Sequence, residues 1–301
     1  MEITNHRFNT VGNRFFYHHT TTVQDDDFYF GPEAHGQYEL LYLVSGSLTH
    51  LIEGKTYEVK PGDMILIAPN DIHALHVRGK VPYERMVLHF NLELLTRAFQ
   101  TLEADPLRFD WSRRSPIIPA ELCREYGLDR LMLSIIENKE SDRYRSFFTV
   151  SRTMELILQL DKLFSNREHA LTQPISIDPL IQRMVEFIDE HLTETFSLDD
   201  MANKLYISKS TLCHRFRDHM KMTVNRYITV KRIYYAAELI RKGMSAVEAG
   251  SAVGYSNYTT FFYNYKQIMG VNPSAKNQAD DDYLNAANTS SLTLDAESAS
   301  Q

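Results

Sequence analysis

An internal repeat in the last third of the 301-residue chain most constrains what the chain can fold into. The pattern that runs from Ala202 to Phe216 returns about 48 residues later, in the segment 250–265. In the first copy, Ser197 and Ser208 are suited to cap two successive helices. Ala202, which lies between them, is small enough to let the two helices cross closely. The repeat therefore predicts two helix-turn-helix motifs within one all-helical domain.

The second copy differs from the first mainly in its aromatic residues. The matched pairs are Gly250 with Ala202, Ser256 with Ser208 as the N-cap, Phe261 with Leu212 and Tyr265 with Phe216. The rings form two groups: Tyr255, Phe261 and Tyr265 are predicted in the core, and Tyr258, Phe262 and Tyr263 facing outward. A stacking platform for single strands is the weaker interpretation, since such platforms usually lie on sheets. A helical bundle with exposed tyrosines is the plain alternative.

The charge of one segment supports a nucleic-acid partner, although the net charge of the whole chain does not. The net charge of −7 at pH 7 counts mildly against such a partner. Between Lys204 and Lys242, however, many basic residues face only two acidic ones, Asp218 and Glu238. A basic block within an acidic chain indicates a basic surface, and basic side chains outside the recognition helices, such as Lys231, are expected to contact phosphates.

Over about residues 181–275 the chain resembles the DNA-binding domain of AraC/XylS-type transcriptional regulators. The matching runs are Ser197-Leu198, Ile207-Ser208, Leu212, Phe216-Arg217, Tyr227-Ile228, Arg232, Ala237, Leu239, Gly254-Tyr255-Ser256, Phe261, Tyr265-Lys266 and Gly270–Ser274. That family usually has glycine at two positions that Tyr206 and Lys221 occupy here. Because both positions favour a positive φ, slight backbone strain is expected at each.

The resemblance implies that two recognition helices enter successive major-groove segments on one face of double-stranded DNA. The implied DNA-facing residues are Lys209, Ser210, Cys213, His214 and Arg217 in the first helix, and Asn257, Tyr258, Thr259, Phe262 and Tyr263 in the second. The second set has few of the side chains that read bases best, so weaker, shape-based or methyl-based reading is expected there.

Residues up to about 92 predict β-structure, because short apolar runs alternate with turn signals such as Glu53-Gly54 and Pro61-Gly62-Asp63. The spacing of these turns suggests a small barrel or sandwich. The segment from His35 to Gly46 resembles part of the first cupin motif, and the segment around His73 resembles the second. A jelly-roll barrel of this type commonly precedes the helical domain in the family and holds a small-molecule effector.

The predicted effector site lies near the mouth of this barrel. Its candidate residues are His18, His35, Tyr38, Glu39, His73, His76 and Arg85. Polar groups among aromatic rings would suit a sugar or a similar polar molecule. His35, Glu39 and His73 are chemically plausible metal ligands, but Glu33 stands where the cupin metal motif has a histidine. We therefore expect no metal ion and no cofactor.

The predicted fold is thus a multidomain α and β chain: a cupin-like jelly-roll barrel, connecting helices, and an all-α domain with two helix-turn-helix motifs. The expected boundaries are 1–119 for the barrel, 120–165 for a helical dimerisation region, 166–179 for a linker, 180–276 for the DNA-binding domain and 277–301 for a disordered acidic tail. The helix from Tyr144 to Phe164 is the predicted homodimer contact, with Ile157 and Leu160 as the residues that test it.

The sequence carries few indications of cellular location, and these agree with one another. No apolar run is long enough to span a membrane, and the N-terminal residues do not resemble a secretory signal. Cys123 and Cys213 have no metal-site spacing and give no reason to expect a disulfide. A cytoplasmic protein without a membrane partner is expected.

The leading functional hypothesis is a cytoplasmic, effector-responsive transcription factor. By resemblance, activation of transcription is its usual output, with RNA polymerase as a further partner. One alternative is a metal-dependent cupin enzyme with an appended helical domain. Another is an adaptor that binds protein through its helices. No catalytic triad or phosphate-binding loop is visible, so no catalytic residue is expected.

Overall fold

Two antiparallel sheets and ten helices make up the part of the chain that the structure describes. The computed structural model describes residues 2–11, 15–101, 111, 116–139, 142–166 and 174–274. The predicted acidic tail, 277–301, lies outside these residues. The predicted fold class, a β domain followed by a helical helix-turn-helix domain, is confirmed.

The strands form two sheets that face each other. They are β1 (Glu2–Val11), β2 (Phe15–Val23), β3 (Phe28–Glu33), β4 (Tyr38–Ser45), β5 (Leu48–Ile52), β6 (Lys55–Val59), β7 (Met64–Ile67), β8 (His73–Val77), β9 (Tyr83–Phe90), β10 (Ile117–Ile118) and β11 (Ser176–Ile177). The first sheet has the order β1-β2-β9-β4-β7-β10, and the second has the order β11-β6-β5-β8-β3. Every strand pair among the described residues is antiparallel.

Side-chain alternation along β4 separates the barrel interior from its outer face. Leu41 and Leu43 belong to an apolar cluster between the two sheets. Leu40 and Tyr42 belong instead to a cluster beneath the connecting helices. Because successive side chains on a strand point to opposite faces, the same rule decides which polar residues of the barrel can meet.

The helices are α1 (Glu93–Thr101), α2 (Ala120–Glu125), α3 (Leu128–Ile136), α4 (Asp142–Ser165), α5 (Pro179–Glu190), α6 (Leu198–Lys204), α7 (Lys209–Met220), α8 (Val224–Arg241), α9 (Ala246–Ala252) and α10 (Tyr258–Met269). The helix α1 was not predicted from the sequence. No helix within the described ranges is both long enough and apolar enough to cross a membrane.

The helix α4 covers the outer face of the first sheet. Ile157 and Leu160 are fully buried there, in one cluster with Leu40, Leu88 and Ile135. Their predicted place in a dimer contact is therefore wrong, because they complete the core of their own chain. Charging either residue would disrupt the fold rather than report on dimerisation.

Residues 174–179 of the predicted linker lie in the described part of the chain and connect the two domains. The short strand β11 pairs with β6 at the edge of the second sheet. Asp178 then caps α5 by accepting hydrogen bonds from the amides of Leu180 and Ile181, with Pro179 as the first helical residue. Arg215 on α7 donates a hydrogen bond to the same carboxylate. The segment thus joins the barrel edge directly to the start of the helical domain.

The helical domain contains the repeat that the sequence predicts. Ser197 and Ser245 start α6 and α9, each with a capping box. Ser208 caps α7 as predicted. In the second motif, however, α10 is capped by Asn257 rather than by the predicted Ser256. The second turn therefore holds one residue more than the first.

Positive φ angles occur where the sequence analysis expects them. Tyr206 has a φ of 59° and Lys221 a φ of 56°, both in the left-handed region that glycine adopts most easily. Lys221 is the C-cap of α7, so the helix ends there without a glycine.

Gly250 sets how closely α9 and α10 approach each other. A Cβ added at this position would lie 2.9 Å from two ring atoms of Phe261, which is itself fully buried. Replacing a mid-helix glycine with alanine normally stabilises a helix by about 1 kcal/mol. Here the steric conflict opposes that gain.

We predict that Gly250→Ala destabilises the helical domain by about 1–3 kcal/mol, the usual range for overpacking a core. Chemical denaturation followed by circular dichroism measures the change. Ser251→Ala, on the exposed side of the same helix, is the matched control and should be neutral or stabilising. A stabilised Gly250→Ala variant would contradict the packing described here.

Candidate DNA-binding face and effector site

The candidate recognition residues of α7 lie on one accessible face. Lys209, Ser210, His214 and Arg217 are exposed, whereas Cys213 is half-buried beside the core. Lys209 donates to Asp199 at 2.7 Å, and the ring of His214 lies 2.9 Å from Asp218. Because both pairs are exposed, they are weak and can exchange for phosphate or base contacts.

The corresponding face of α10 is largely aromatic. Tyr258, Thr259 and Tyr263 are exposed, and Phe262 is half-buried. Asn257 is exposed, but its side-chain oxygen accepts the amide of Thr260 as the helix cap. Its predicted role in base reading is therefore restricted, since the cap occupies its acceptor.

Two basic residues of α8 have structural roles. The guanidinium of Arg232 donates to the carbonyls of Leu192 and Glu194 and stands over the ring of Phe196. The Lys231 side chain is only 13% exposed, and its Nζ lies 3.2 Å from Glu53 and 3.4 Å from Asp189, so the predicted phosphate contact at this position is wrong. The lysine binds a carboxylate of the barrel instead.

The barrel interior holds a cluster of imidazoles and carboxylates, which we call the histidine cluster. Its core consists of two cross-strand pairs, Glu39 with His89 in the first sheet and Glu33 with His73 in the second. His35 completes it, with Nε2 at 2.8 Å from Oε2 of Glu39. The Nε2 atoms of His73 and His89 lie 3.9 and 3.8 Å from that same oxygen.

Burial and mutual contacts decide the charges in the histidine cluster. Burial acts to raise the pKa of Glu39, but the hydrogen bond of His35 and the neighbouring imidazoles hold it well below its ordinary value. Burial acts to lower the pKa of His73, but the carboxylate of Glu33 raises it to about 9. Burial lowers the pKa of His89 to about 4. The cluster therefore combines charged carboxylates with both charged and neutral imidazoles.

Two further predicted residues lie in the same interior. Burial and the nearby charge of Arg85 lower the pKa of His18 well below its ordinary value. The guanidinium of Arg85 stands over the rings of Tyr83 and Phe30, at 4.8 and 5.4 Å from their centroids. Polar and aromatic groups thus alternate along the inner face of the first sheet.

Tyr38 and His76 are not brought into the interior. Tyr38 stacks on Phe90 and meets Trp111 on the outer face beneath the helices. His76 is half-exposed and faces Asp27, with Nε2 and Oδ2 3.4 Å apart. Each side chain points to the face of its strand opposite the interior, so neither residue belongs to the proposed site.

Sequence reasoning missed three members of the interior. They are Glu33, His50 and His89. The alternation of β9 held a signal for the last, because Tyr83, Arg85, Val87 and His89 are spaced by two and share a face. The ring of His50 stacks on that of His73, with centroids 5.8 Å apart.

A hairpin of the barrel docks on the helical domain. Glu53 and Gly54 form the two-residue turn between β5 and β6, with φ angles of 47° and 78° that match a type I′ turn. The carboxylate of Glu53 accepts hydrogen bonds from the hydroxyl of Tyr227 and from Lys231. The carbonyl of Gly54 meets the ring of His219 at 3.0 Å. We call this contact the hairpin dock.

The hairpin dock and the histidine cluster share segments of chain. The hydroxyl of Tyr234 donates to the carbonyl of Ala34, which lies between Glu33 and His35. Glu53 also accepts the amide of Ile72 at 2.6 Å, one residue before His73. Ile72 packs in the apolar core of the helical domain. A displacement of the cluster would therefore move atoms that contact α8.

A separate surface groove lies on the connecting helices. Its volume is about 660 Å³, and its charged lining includes Glu125, Arg130, Glu155 and Lys162. It shares no lining residue with the histidine cluster. The groove mixes both charges at the surface, in contrast to the enclosed cluster within the barrel.

Comparison with known families accounts for both halves of the chain. Residues 16–195 match the family described as AraC-like ligand binding domain, and residues 201–279 match a helix-turn-helix domain. The chain belongs to the AraC family of transcriptional regulators. The barrel with its histidine cluster is thus the ligand-binding part of an AraC-type regulator, and the double motif is its DNA-binding part.

Several AraC-type relatives align over most of the chain. The HTH-type transcriptional activator RhaR of Pectobacterium carotovorum is 23% identical, covering 80% of this chain and 83% of its own. The arabinose operon regulatory protein of Escherichia coli is 22% identical, covering 74% of each. The solved structure of apo ToxT from Vibrio cholerae is 15% identical and covers 88% of this chain and 96% of its own, with a TM-score of 0.40.

The AraC assignment decides between the functional hypotheses. The domains and the relatives are those of a transcription regulator and not of an enzyme, so the cupin-enzyme alternative is set aside. A helix-turn-helix domain implies DNA as a partner, and an AraC-like ligand-binding domain implies a small-molecule effector.

The buried pair of Glu53 and Lys231 tests whether the dock couples the two halves of this AraC-type chain. We expect Glu53→Gln and Lys231→Met each to destabilise the protein by about 2–4 kcal/mol, because the first leaves Lys231 with only the exposed Asp189 and the second leaves the Glu53 carboxylate without its cation. The double variant should lose less than the sum, with a coupling energy of about 1–3 kcal/mol. Urea denaturation of all four proteins measures it.

The matched control is the surface pair of Glu238 on α8 and Lys242, the C-cap of that helix, at 2.6 Å. Its coupling energy should stay below about 0.5 kcal/mol. Additive effects of the Glu53 and Lys231 substitutions would show that this ion pair does not contribute to joining the domains.

Proposed function

We propose that this protein is a homodimeric transcription activator whose binding to paired DNA sites changes when a small polar effector occupies the barrel. The observation that carries the proposal is the hairpin dock. It joins the segments that hold the histidine cluster to α8, the helix between the two helix-turn-helix motifs. A ligand that binds the two arrangements of this contact with different affinity shifts the balance between them.

The proposed effector contacts are the polar residues that face the interior: His18, His35, Glu39, His73 and Arg85. Donors, acceptors and aromatic rings suit the hydroxyl groups of a sugar or a similar polar molecule. A relative named for an arabinose operon is in keeping with such a ligand.

Activation through contact with RNA polymerase is part of the same proposal. It is supported by the relative named as a transcriptional activator. The cytoplasm is the proposed location, since a regulator of this kind must reach DNA.

The proposed dimer contact is the outer side of α4. Phe147 is 78% exposed and Leu158 is 42% exposed, and Tyr144, three residues before Phe147, is 49% exposed. Phe147 and Leu158 are eleven residues apart, close to three helical turns, so they share one stripe. A second copy of the same stripe would cover these apolar side chains in a short antiparallel or parallel pair of helices.

We predict that Leu158→Glu yields monomers that stay folded, because the substitution charges the exposed stripe without touching the core. Light scattering coupled to gel filtration gives the mass. Val247→Glu, at an exposed apolar position on α9, is the matched control and should remain dimeric. A Leu158→Glu protein of unchanged dimeric mass would exclude this face.

Selection from a random pool of duplex DNA tests the proposed function as a whole. The protein should enrich a two-part motif with its parts about one helical turn apart, or a pair of such motifs. Effector candidates are then titrated on the selected duplex at near-physiological salt. If selection enriches no motif, with or without cell extract, the DNA-binding proposal fails.

On the selected duplex, Arg217→Ala should weaken binding by roughly 10- to 100-fold and relax sequence preference at one or two positions, since arginine reads guanine edges. Fluorescence anisotropy on cognate and shuffled duplexes measures both effects. Arg124→Ala removes an equal charge from an exposed site on α2 and should leave affinity unchanged. Equal losses in both variants would mean that only overall charge matters.

A further inference from the structure

The histidine cluster has the donor set of a metal site. The ligand atoms of His35, Glu39 and His89 all lie within 4.8 Å of one another, and all three side chains are buried. His73 adds a third imidazole nitrogen near the same carboxylate oxygen. Because zinc takes histidine nitrogens and carboxylate oxygens at about 2.0–2.2 Å, its ligand atoms stand roughly 3–4 Å apart. Small side-chain rotations bring the present atoms to that spacing.

Backbone carbonyls orient two of the imidazoles. Nδ1 of His35 lies 2.9 Å from the carbonyl of Gln37, and Nδ1 of His73 lies 2.9 Å from that of Asp71. These contacts place a proton on Nδ1 and direct Nε2 towards the carboxylates. An outer carbonyl that fixes the tautomer in this way is a common feature of histidines that bind metals.

Each of these two rings has acceptors on both sides. A neutral imidazole carries one N–H and satisfies only one of them. His35 meets the carbonyl of Gln37 at Nδ1 and Oε2 of Glu39 at Nε2, 2.9 and 2.8 Å away. A cation bound here would take the place of the proton between Nε2 and the carboxylate oxygen. Nearby, Nδ1 of His89 and both ring nitrogens of His50 are buried without a hydrogen-bond partner among the described residues.

We propose that His35, Glu39 and His89 bind a divalent transition-metal ion, with His73 as a fourth ligand. Imidazole nitrogens with one carboxylate favour zinc, cobalt, nickel or copper over calcium and magnesium, which prefer all-oxygen sites. The sequence suggests no metal, because Glu33 replaces a histidine of the cupin motif. His89 supplies an imidazole from β9, outside both motif segments, through its cross-strand pairing with Glu39.

Metal binding as such does not depend on the proposed regulatory function. Its consequence does rest on that function: an ion that draws His35 and His73 together would move Ala34 and Ile72, which contact the helical domain. The ion would then act as the effector or as an anchor for one.

Cobalt titration of the full-length, chelator-treated protein tests the site. We expect one ion per chain, visible absorption bands typical of mixed nitrogen and oxygen ligation, and displacement by zinc. His89→Gln and Glu39→Gln should each weaken binding at least tenfold, whereas His76→Gln, which alters a half-exposed histidine, should leave it unchanged. Thermal unfolding of the metal-free variants checks that each is folded. Without metal, His89→Gln should melt near the parent protein, and added zinc should raise the melting temperature of the parent only.

Absence of stoichiometric binding, or binding that His89→Gln and Glu39→Gln leave intact, overturns the metal site. The selected DNA duplex separates this result from failure of the proposed function. A protein that binds DNA but no metal retains the regulatory proposal with an organic effector. A protein that binds metal through these residues but selects no DNA retains the site and loses the regulatory proposal.

Discussion

A carboxylate at the tip of a barrel hairpin determines how the two halves of this chain meet. Glu53 is nearly enclosed, and a buried carboxylate is costly unless it is paired and hydrogen-bonded. Its partners, Tyr227 and Lys231, lie one turn apart on α8, and Tyr234 follows on the same side to reach Ala34. Such a polar contact favours one orientation, because a shift separates the carboxylate from its partners. The helix between the two helix-turn-helix motifs is therefore held against the barrel, and the motifs that flank it are positioned with it.

The sequence predicts the helical repeat well, because its determinants are local. Ser197 and Ser208 act as caps and Ala202 permits a close crossing, all within one short segment.

The sequence-based predictions fail where a distant part of the chain determines the environment of a residue. Lys231 is basic and lies in a basic block, but its carboxylate partner lies far away in the sequence, on β5–β6. Ile157 and Leu160 belong to an apolar stripe that could pack against a second copy of the chain or against a sheet of the same chain. Only the three-dimensional fold shows that they pack in the core of their own chain. Phe147 and Leu158 on the same helix stay exposed.

The residues of the histidine cluster were predicted in part, for a reason that lies in strand pairing. His35, Glu39 and His73 belong to recognisable motif segments and do converge. Glu33 and His89 join them only through cross-strand pairing, which the sequence does not display. Tyr38 and His76 fail because each stands on the other face of its strand. Because successive side chains of a strand point to opposite faces, one residue known to face inward shows which other residues of that strand also face the interior. Knowing that Glu39 faces inward would have excluded Tyr38, and Val87 on β9 would have indicated His89.

The energy that a ligand must supply to act through this arrangement is small. A tenfold change in DNA affinity corresponds to about 1.4 kcal/mol, similar to the net contribution of one hydrogen bond. The contacts of Tyr234 with Ala34 and of Ile72 with the helical core are each of that order. Both are attached directly to cluster residues, so neither needs a long chain of intermediate movements. A ligand that shifts His35 or His73 by a fraction of an ångström would weaken one of these contacts. That change in the dock would be enough to alter the affinity for DNA. The contacts of Glu53 with Tyr227 and of Gly54 with His219 would keep the domains together while it does so.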